Sequence, residues 1–174
     1  MAYPVSFASG KGGTGKTTVV ANLGAGIAKL GKDVIVLDAD VTMADLGLVF
    51  NLDERFSLHE VLAGKRKPSD AIYDVGDGLK VLQGALSLKE IQKIRLDRLK
   101  WVVRELTRKT EYLLVDCPSG FERDFVTALG STTHLVLVVN PDFPSLLEAM
   151  KVKRVAERLH IRPVGVVVNR TLGK

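Results

Sequence analysis

The chain has 174 residues, of which 46% are hydrophobic and 26% are charged, and its formal net charge is +5 at pH 7. This length and apolar content are sufficient for one folded domain, 1–174, with a substantial core. No apolar run approaches the ~20 residues of a membrane-spanning helix, and the N-terminus lacks the pattern of a signal peptide, so we expect a cytoplasmic protein. The single cysteine, Cys117, excludes an internal disulfide and a four-cysteine metal site within one chain.

The first predicted elements are a short strand, a glycine-rich loop and a helix. Val5 and Phe7 alternate with smaller residues, as in a buried strand. The loop at 10–17, GKGGTGKT, matches the pattern G-x-x-x-x-G-K-[ST], whose glycines let backbone N–H groups turn inward around an anion. The apolar residues that follow at helical spacing are Val20, Leu23, Ile27 and Leu30. Strand, loop and helix together favour a phosphate-binding loop over a simple glycine-rich turn.

A second strand is predicted at 34–37, where the apolar run VIVL suits a strand that is covered on both faces. It leads into Asp38 and Asp40, which places two carboxylates at the edge where open α/β sheets bind ligands. The segment 57–62, SLHEVL, predicts a brief helix with a capping box. His59 within it is distant in sequence from any other His or Cys, so we expect a surface or helix-packing residue rather than a metal ligand.

A third strand is predicted at 79–82, followed by a long basic helix at about 95–109. Eight basic and three acidic residues lie between Lys89 and Lys109, an excess equal to that of the whole chain. Such a face could meet nucleic acid or an anionic membrane. We favour a solvated helix surface, because the same segment has an ordinary buried stripe. The stripe residues are Leu96, Leu99, Val103 and Leu106.

The next apolar run, 112–115, ends at Asp116. A carboxylate at the end of such a strand, downstream of a phosphate loop, is typical of the residue that helps to hold Mg²⁺ beside a nucleotide. Cys117 has no neighbouring His in the sequence, so a small packed residue is favoured over a nucleophile.

Two further strands are predicted at 134–139 and 164–168, and the second leads into Asn169 and Arg170. The helix between them is expected to turn Leu146, Leu147, Met150, Val155 and Leu159 inward and Lys151, Lys153, Arg154 and Arg158 outward. Alternating strands and helices predict an α/β fold, with a mostly parallel twisted sheet and helices on both faces.

Four segments, GKGGTGKTT, DADVTMADLG, LLVDCPSG and VVVNR, resemble the MinD/ParA family of deviant Walker-A P-loop ATPases, and the archaeal MinD-like branch most closely. The most specific element is Lys11, because this family requires a second lysine where ordinary P-loops leave the position open. Asp45 and Ser119 differ from the Asn and Ala that are usual in close relatives. Family members also continue past Arg170, so we expect the C-terminal part of the family domain to be missing from this chain.

The resemblance implies a role for each matching residue. ATP would be held by the loop. The binding residues would be Gly10, Lys11, Gly12, Gly13, Thr14, Gly15, Lys16, Thr17 and Thr18. Lys16 would neutralise the β- and γ-phosphates, and Lys11 would reach the ATP of a partner subunit. Asp40 would orient the attacking water, while Thr17, Asp38 and Asp116 serve Mg²⁺. Asn169 is expected to contact adenine, with Arg170 flanking it.

The function implied is a Mg²⁺-dependent ATPase that acts as an ATP-dependent dimerisation switch. It would position an unidentified regulatory protein partner, in cell-division site selection or related spatial regulation. Alternatives on the same fold are a ParA-like ATPase that partitions DNA through non-specific DNA binding, and a metal-cluster carrier or insertion ATPase. The latter relatives have CxxC or paired cysteines, so Cys117 alone argues against them. Peripheral membrane attachment would require a C-terminal amphipathic helix in a longer form, and these residues do not support it.

Overall fold

The structure is a computed structural model that describes residues 2–53, 55–85 and 94–171. Part of the predicted basic segment, including Lys89 and Lys93, lies outside the described residues. The strands are β1 (Pro4–Ala8), β2 (Val34–Asp38), β3 (Tyr73–Gly76), β4 (Leu79–Leu82), β5 (Tyr112–Asp116), β6 (His134–Val139) and β7 (Arg162–Val168). The α-helices are α1 (Lys16–Lys29), α2 (Leu46–Val49), α3 (Leu58–Leu62), α4 (Leu99–Thr107), α5 (Arg123–Leu129) and α6 (Phe143–Arg158). None of the helices in these ranges is both long and apolar enough to cross a bilayer.

The seven strands form one sheet in the order β3-β4-β2-β5-β1-β6-β7. All neighbouring pairs are parallel except β3 with β4. One buried cluster joins α3, α4, α5 and α6 to one face of the sheet, and a second joins α1 and α2 to the other. The predicted fold class, a mostly parallel sheet with helices on both faces, is confirmed.

The register of the central strands positions the candidate site. Asp38 on β2 and Asp116 on β5 are direct register partners, and Asp116 also lies opposite Phe7 on β1. All three strands run in the same direction, so their carboxyl ends meet at one edge of the sheet. The loop that follows β1 and the two carboxylates that end β2 and β5 therefore belong to the same edge.

Helix α1 buries only part of the predicted stripe, and Ile27 is half-buried against the core. Val20 is buried, but Leu23 is 40% and Leu30 is 79% exposed, while Gly24 lies buried against the sheet. A Cβ on Gly24 would lie 2.6 Å from a methyl group of Val36 on β2. The prediction was wrong at Leu23 and Leu30, because α1 approaches the sheet through small residues such as Gly24, and large side chains cannot occupy that position at this distance.

Helix α6 departs from its prediction for the same reason. Its buried positions are Ser145, Ala149, Val152 and Ala156. Four of the five predicted inward residues are at least 37% exposed: Leu146, Leu147, Met150 and Leu159. The fifth, Val155, is half-buried. Small residues again form the face that contacts the sheet, so hydrophobicity alone misassigned the rotation of the helix.

The basic helix is shorter than predicted. A 3₁₀ turn covers Leu96–Arg98, and the α-helix begins only at Leu99. Its predicted buried stripe is confirmed from Leu99 onwards, with Leu96 half-buried before it. The short helix α3 is confirmed, and the Glu60 carboxylate accepts a hydrogen bond from the Ser57 backbone N–H at 3.2 Å, as its capping box requires.

Strand β3 was missed by the sequence reasoning. It pairs antiparallel with β4 through a two-residue turn, Asp77-Gly78, in which both residues have positive φ. An Asp-Gly pair between two extended segments is the sequence signal of such a turn, and it could have identified this hairpin. The hairpin lies at the edge of the sheet, far from the carboxyl ends of β1 and β5 in strand order.

Candidate functional site

The glycine-rich loop joins β1 to α1 and leaves the start of that helix open. Gly13 and Gly15 have φ values of 77° and 83°, a left-handed conformation that glycine adopts without strain. Gly15 is the N-cap of α1, and no side chain caps the helix there. The first backbone N–H groups of a helix have no intrahelical acceptor. The loop therefore presents these donors, at the positive end of the helix dipole, to the space in front of it.

That space is a cleft of about 390 Å³ at the carboxyl edge of the sheet. Eleven of the predicted site residues line it. They are Gly12, Gly13, Thr14, Gly15, Lys16, Thr17, Thr18, Asp38, Asp40, Asp116 and Arg170. Ser9, Met43, Asp45 and Ser119 also line it. Ser9 and Met43 were given no role from the sequence, although Ser9 directly precedes the loop and Met43 lies within the segment DADVTMADLG. Gly10, Lys11 and Asn169 are the predicted residues that do not line the cleft.

Lys16 is the buried cation of the cleft. Its Nζ lies 2.5 Å from Oδ1 of Asp116, and both side chains are less than one-tenth exposed. Burial by itself lowers the pKa of Lys16, but the charge and hydrogen bond of Asp116 outweigh it, so the net pKa is raised. The ammonium group is therefore charged at neutral pH and lies directly behind the open amide groups of the loop.

Asp38 is the second buried carboxylate. Its oxygens accept hydrogen bonds from the backbone N–H groups of Asp40, at 3.0 Å, and Leu46, at 3.1 Å. Burial, followed by the nearby charge of Asp116, nevertheless raises the pKa of Asp38 to about 8. Two acidic groups that share one buried edge favour a bound cation, because a cation relieves both the burial cost and their mutual repulsion.

Asp40 lies in the loop that follows β2, two residues after Asp38, and is half-buried. Its Oδ1 accepts hydrogen bonds from the backbone N–H of Thr42, at 3.1 Å, and of Met43, at 2.8 Å, and from the Thr42 hydroxyl, at 2.9 Å. These contacts hold the carboxylate at the mouth of the cleft. The following loop is tied to α3, because the His59 ring lies 2.8 Å from the carbonyl oxygen of Val41.

Lys11 differs from Lys16 in exposure, in position relative to the cleft and in ion pairing. It is exposed, it does not line the cleft, and it has no ion-pair partner within the described ranges. The Ser9 hydroxyl donates a hydrogen bond to the Lys11 carbonyl oxygen at 3.0 Å, which holds the backbone of this turn. Its neighbour Gly10 packs so closely on α6 that an added Cβ would lie 2.6 Å from the Glu148 carbonyl oxygen.

Asn169 and Arg170 follow the end of β7. The Asn169 amide donates a hydrogen bond to the Thr14 carbonyl oxygen at 2.8 Å, so this side chain supports the phosphate loop from outside the cleft. Arg170 lines the cleft and has a positive φ of 57°. The base-contacting role expected for Asn169 stays a prediction.

The residues present suit Mg²⁺ together with a phosphate ligand. Within the part of the chain that the structure describes, no group of three or more His, Cys, Asp or Glu could hold a metal alone. Mg²⁺ is commonly held by one or two carboxylates plus substrate phosphates, and Thr17, Asp38 and Asp116 supply oxygen atoms around one cleft. The Thr14 hydroxyl is buried there without a hydrogen-bond partner in the described chain, as expected of a group that faces a ligand.

Cys117 and His59 have the structural roles that were expected. Cys117 is fully buried in the core, and burial raises the pKa of its thiol to about 12, so it is not a nucleophile. His59 is also buried, and its Nδ1 accepts a hydrogen bond from the Ala85 backbone N–H at 3.0 Å. Its helix-packing role is confirmed, whereas the surface alternative is wrong.

Comparison with known proteins agrees with this geometry. The family model described as ParA, NUBPL iron-transfer P-loop NTPase, matches residues 2–172. An uncharacterised ATP-binding protein of Methanocaldococcus jannaschii is 40% identical over 171 residues, which cover 98% of this chain and 65% of that protein. The chain therefore spans slightly less than two thirds of the length of this relative.

Solved structures of MinD proteins have a fold similar to that of this chain. The septum site-determining protein MinD of Pyrococcus horikoshii, complexed with Mg-ADP, has a TM-score of 0.94 and 38% identity, over 98% of this chain and 71% of that one. The MinC:MinD cell division protein complex of Aquifex aeolicus has a TM-score of 0.85 and 30% identity, over 98% of this chain and 70% of the matched one.

Proposed function

This chain belongs to the MinD/ParA family of P-loop NTPases, and we propose that it is a Mg²⁺-dependent ATPase whose ATP-bound form dimerises as a switch. The proposal extends to the role of such a switch, the positioning of a regulatory protein partner in cell-division site selection or related spatial regulation. The observation that carries it is the contrast between the two loop lysines. Lys16 is buried in the cleft and paired, while Lys11 is exposed outside it.

ATP binding is supported by the loop and its surroundings. Open backbone N–H groups and the Lys16 ammonium converge on one cleft, which is the arrangement that holds a polyphosphate. Thr18 and the loop amides would hold the α-phosphate, and Lys16 would contact the β- and γ-phosphates. The similar MinD structure from Pyrococcus horikoshii was solved with Mg-ADP, which agrees with this assignment.

Hydrolysis would use positioned groups rather than a covalent intermediate. A Mg²⁺ ion held by Thr17, Asp38 and Asp116 would neutralise charge on the phosphates. Asp40, at the open end of the cleft, would orient the attacking water. Such a site supplies little acceleration until the remaining charge on the leaving phosphate is neutralised.

Dimerisation would supply that charge. Because Lys11 is exposed and has no ion-pair partner within the described ranges, its ammonium is free to enter the cleft of a second subunit, where it would stabilise charge as an arginine finger does. The ATP form of the dimer would therefore be the active form, and hydrolysis would return monomers. The similar Aquifex aeolicus protein was solved as a MinC:MinD complex, which supports a protein partner for the proposed switch.

The test compares Lys11→Ala with the matched control Lys29→Ala, an exposed lysine at the far end of α1. Molecular mass is measured by light scattering with ADP and with a non-hydrolysable ATP analogue, and phosphate release is measured with ATP. The parent and the control are expected to dimerise with the analogue only, whereas Lys11→Ala stays monomeric and loses hydrolysis. Dimerisation and turnover of Lys11→Ala at the parent level would refute the proposal.

The two alternatives have less support. The family model includes iron transfer in its description, but the one cysteine of this chain is buried, which argues against a cluster-binding role. For DNA binding, two of the four basic side chains on the outer face of α6, Lys151 and Lys153, are already paired with Glu148 and Glu157, which leaves Arg154 and Arg158 without an ion-pair partner in the described ranges. ATP-dependent and salt-dependent retention on non-specific DNA would favour the ParA-like role instead.

A further inference from the structure

A second cleft, larger than the first, lies at the opposite edge of the sheet. Its volume is about 770 Å³, and it opens between α4, the start of β1 and the segment that precedes β6. Tyr3 and Pro4 mark the amino end of β1, whereas the phosphate loop follows the carboxyl end of the same strand. No residue of the phosphate cleft takes part in this second one, which we term the basic cleft.

The basic cleft has an apolar floor and a charged aromatic rim. Ala2, Pro4 and Val103 are buried and form part of the floor. The rings of Tyr3 and Trp101 stand at the rim, where they are 71% and 39% exposed. Exposed aromatic side chains beside an apolar recess are typical of protein–protein contact sites rather than of ordinary solvated surface.

The charge of the rim has one sign. Lys100 and Arg104 on α4 and Arg108, the C-cap of that helix, recur at every fourth residue and all line the cleft, while no acidic residue of the described chain does. Arg108 pairs with Glu105 at 2.8 Å, but neither Lys100 nor Arg104 has an ion-pair partner in the described ranges. Two unpaired cations thus flank an apolar recess and offer charge complementarity to carboxylates.

We propose that the basic cleft binds an acidic peptide segment of a partner protein, with an apolar side chain in the recess and carboxylates on Lys100 and Arg104. A nucleic acid would require a longer track of cations, because its affinity grows with the number of phosphates neutralised. A mostly apolar recess with two free charges suits a short segment that combines leucine-like and acidic residues. Because the cleft contains none of the loops that face the phosphate site, this binding is independent of the nucleotide.

The chain supplies its own probe for the test, since Trp101 is its only tryptophan. Tryptophan fluorescence is followed during titration with a short synthetic peptide of alternating leucine and glutamate, and with the same peptide carrying glutamine for glutamate. We expect a saturable change with the glutamate peptide, binding about tenfold weaker with the glutamine peptide, and equal affinity with ADP and with an ATP analogue.

Two charge-matched variants complete the design. Lys100→Gln with Arg104→Gln should weaken binding about tenfold and reduce its salt dependence, whereas Arg154→Gln with Arg158→Gln, exposed on α6, should bind as the parent does. All four side chains are exposed, so retained folding is expected and is checked by circular dichroism. An equal loss in both variants, or no response of Trp101 to the peptide, would overturn the proposal. A fluorescence change of Trp101 with phosphatidylglycerol vesicles or with oligothymidylate, and none with the peptide, would also overturn it.

Discussion

Asp38 makes the stability of this protein depend on pH in an unusual direction. Burial and the adjacent Asp116 raise its pKa from 3.8 to about 8, so the folded protein retains a proton that the unfolded chain releases near pH 4. The contribution of Asp38 to the free energy of unfolding is fully present below about pH 4 and is lost as the pH rises towards about 8. The shift of about four pK units, at 1.36 kcal/mol each, gives a ceiling of roughly 5 kcal/mol.

The perturbation is Asp38→Asn, which is neutral at every pH in this window. Free energies of unfolding are measured with urea between pH 5 and pH 8 in a chelating buffer without nucleotide. The asparagine loses one of the two backbone hydrogen bonds that the carboxylate accepts, which adds a constant cost. The quantity to compare is therefore the slope of the free energy of unfolding against pH. We expect the free energy of unfolding of the parent to fall by several kcal/mol relative to that of the variant as the pH rises.

The matched control is Asp45→Asn, an exposed carboxylate that lines the same cleft. Its difference from the parent should stay constant with pH. Saturating Mg-ADP should also flatten the slope of the parent, because a cation beside Asp38 and Asp116 replaces the proton. A difference between the parent and Asp38→Asn that is constant, or that grows in favour of the parent as the pH rises, would refute the reasoning about this carboxylate.

Three further predictions concern the scaffold of the site. Gly24→Ala should lower the free energy of unfolding by about 1–3 kcal/mol, because its Cβ would collide with Val36. Gly26→Ala, whose Cβ would have no atom within 4 Å, should raise it by about 0.5–1 kcal/mol. Changes of melting temperature with the same sign in both variants would contradict the packing of α1. His59→Leu should cost about 1–3 kcal/mol in urea unfolding, since the buried Val41 carbonyl and the partly buried Ala85 N–H lose their partner. A change below about 0.5 kcal/mol would show that the ring is dispensable. Cys117, buried and with its pKa raised to about 12, should react with a thiol reagent no faster than the protein unfolds, and rapid labelling of the folded protein would disprove this.

The parts of the fold that the sequence predicted correctly are those with strong local chemistry. The phosphate loop requires glycine at positions of positive φ, and both Asp38 and Asp116 end apolar runs of strand length, so each could be placed without tertiary information. Their meeting in one cleft followed from a general property of parallel sheets. The capping box of α3 was visible for the same reason, because all its contacts lie within four residues.

The parts that were not predicted depend on distances between elements. The rotation of α1 and α6 is set by close approach to the sheet at Gly24 and Ala149, and hydrophobicity favours the larger residues that such an approach excludes. The support that Asn169 gives to the phosphate loop was not foreseen, because its hydrogen bond to Thr14 joins residues 155 positions apart; its expected contact with adenine stays a prediction. The rim of the basic cleft likewise depends on bringing Tyr3 and Trp101 to the same cleft, which nothing in either local sequence indicates.

The contact between Lys16 and Asp116 has a consequence for the order in which ligands bind. A phosphate anion that binds the Lys16 ammonium alone must break its ion pair with Asp116, which leaves the carboxylate without a counterion. A divalent cation that binds Asp116 alone leaves the Lys16 ammonium without a counterion. Either newcomer by itself leaves one buried charge uncompensated, so each should bind weakly. When both bind together, Lys16 exchanges Asp116 for the phosphate and Asp116 exchanges Lys16 for the metal ion. We therefore expect the metal ion and the polyphosphate each to increase the affinity of the other.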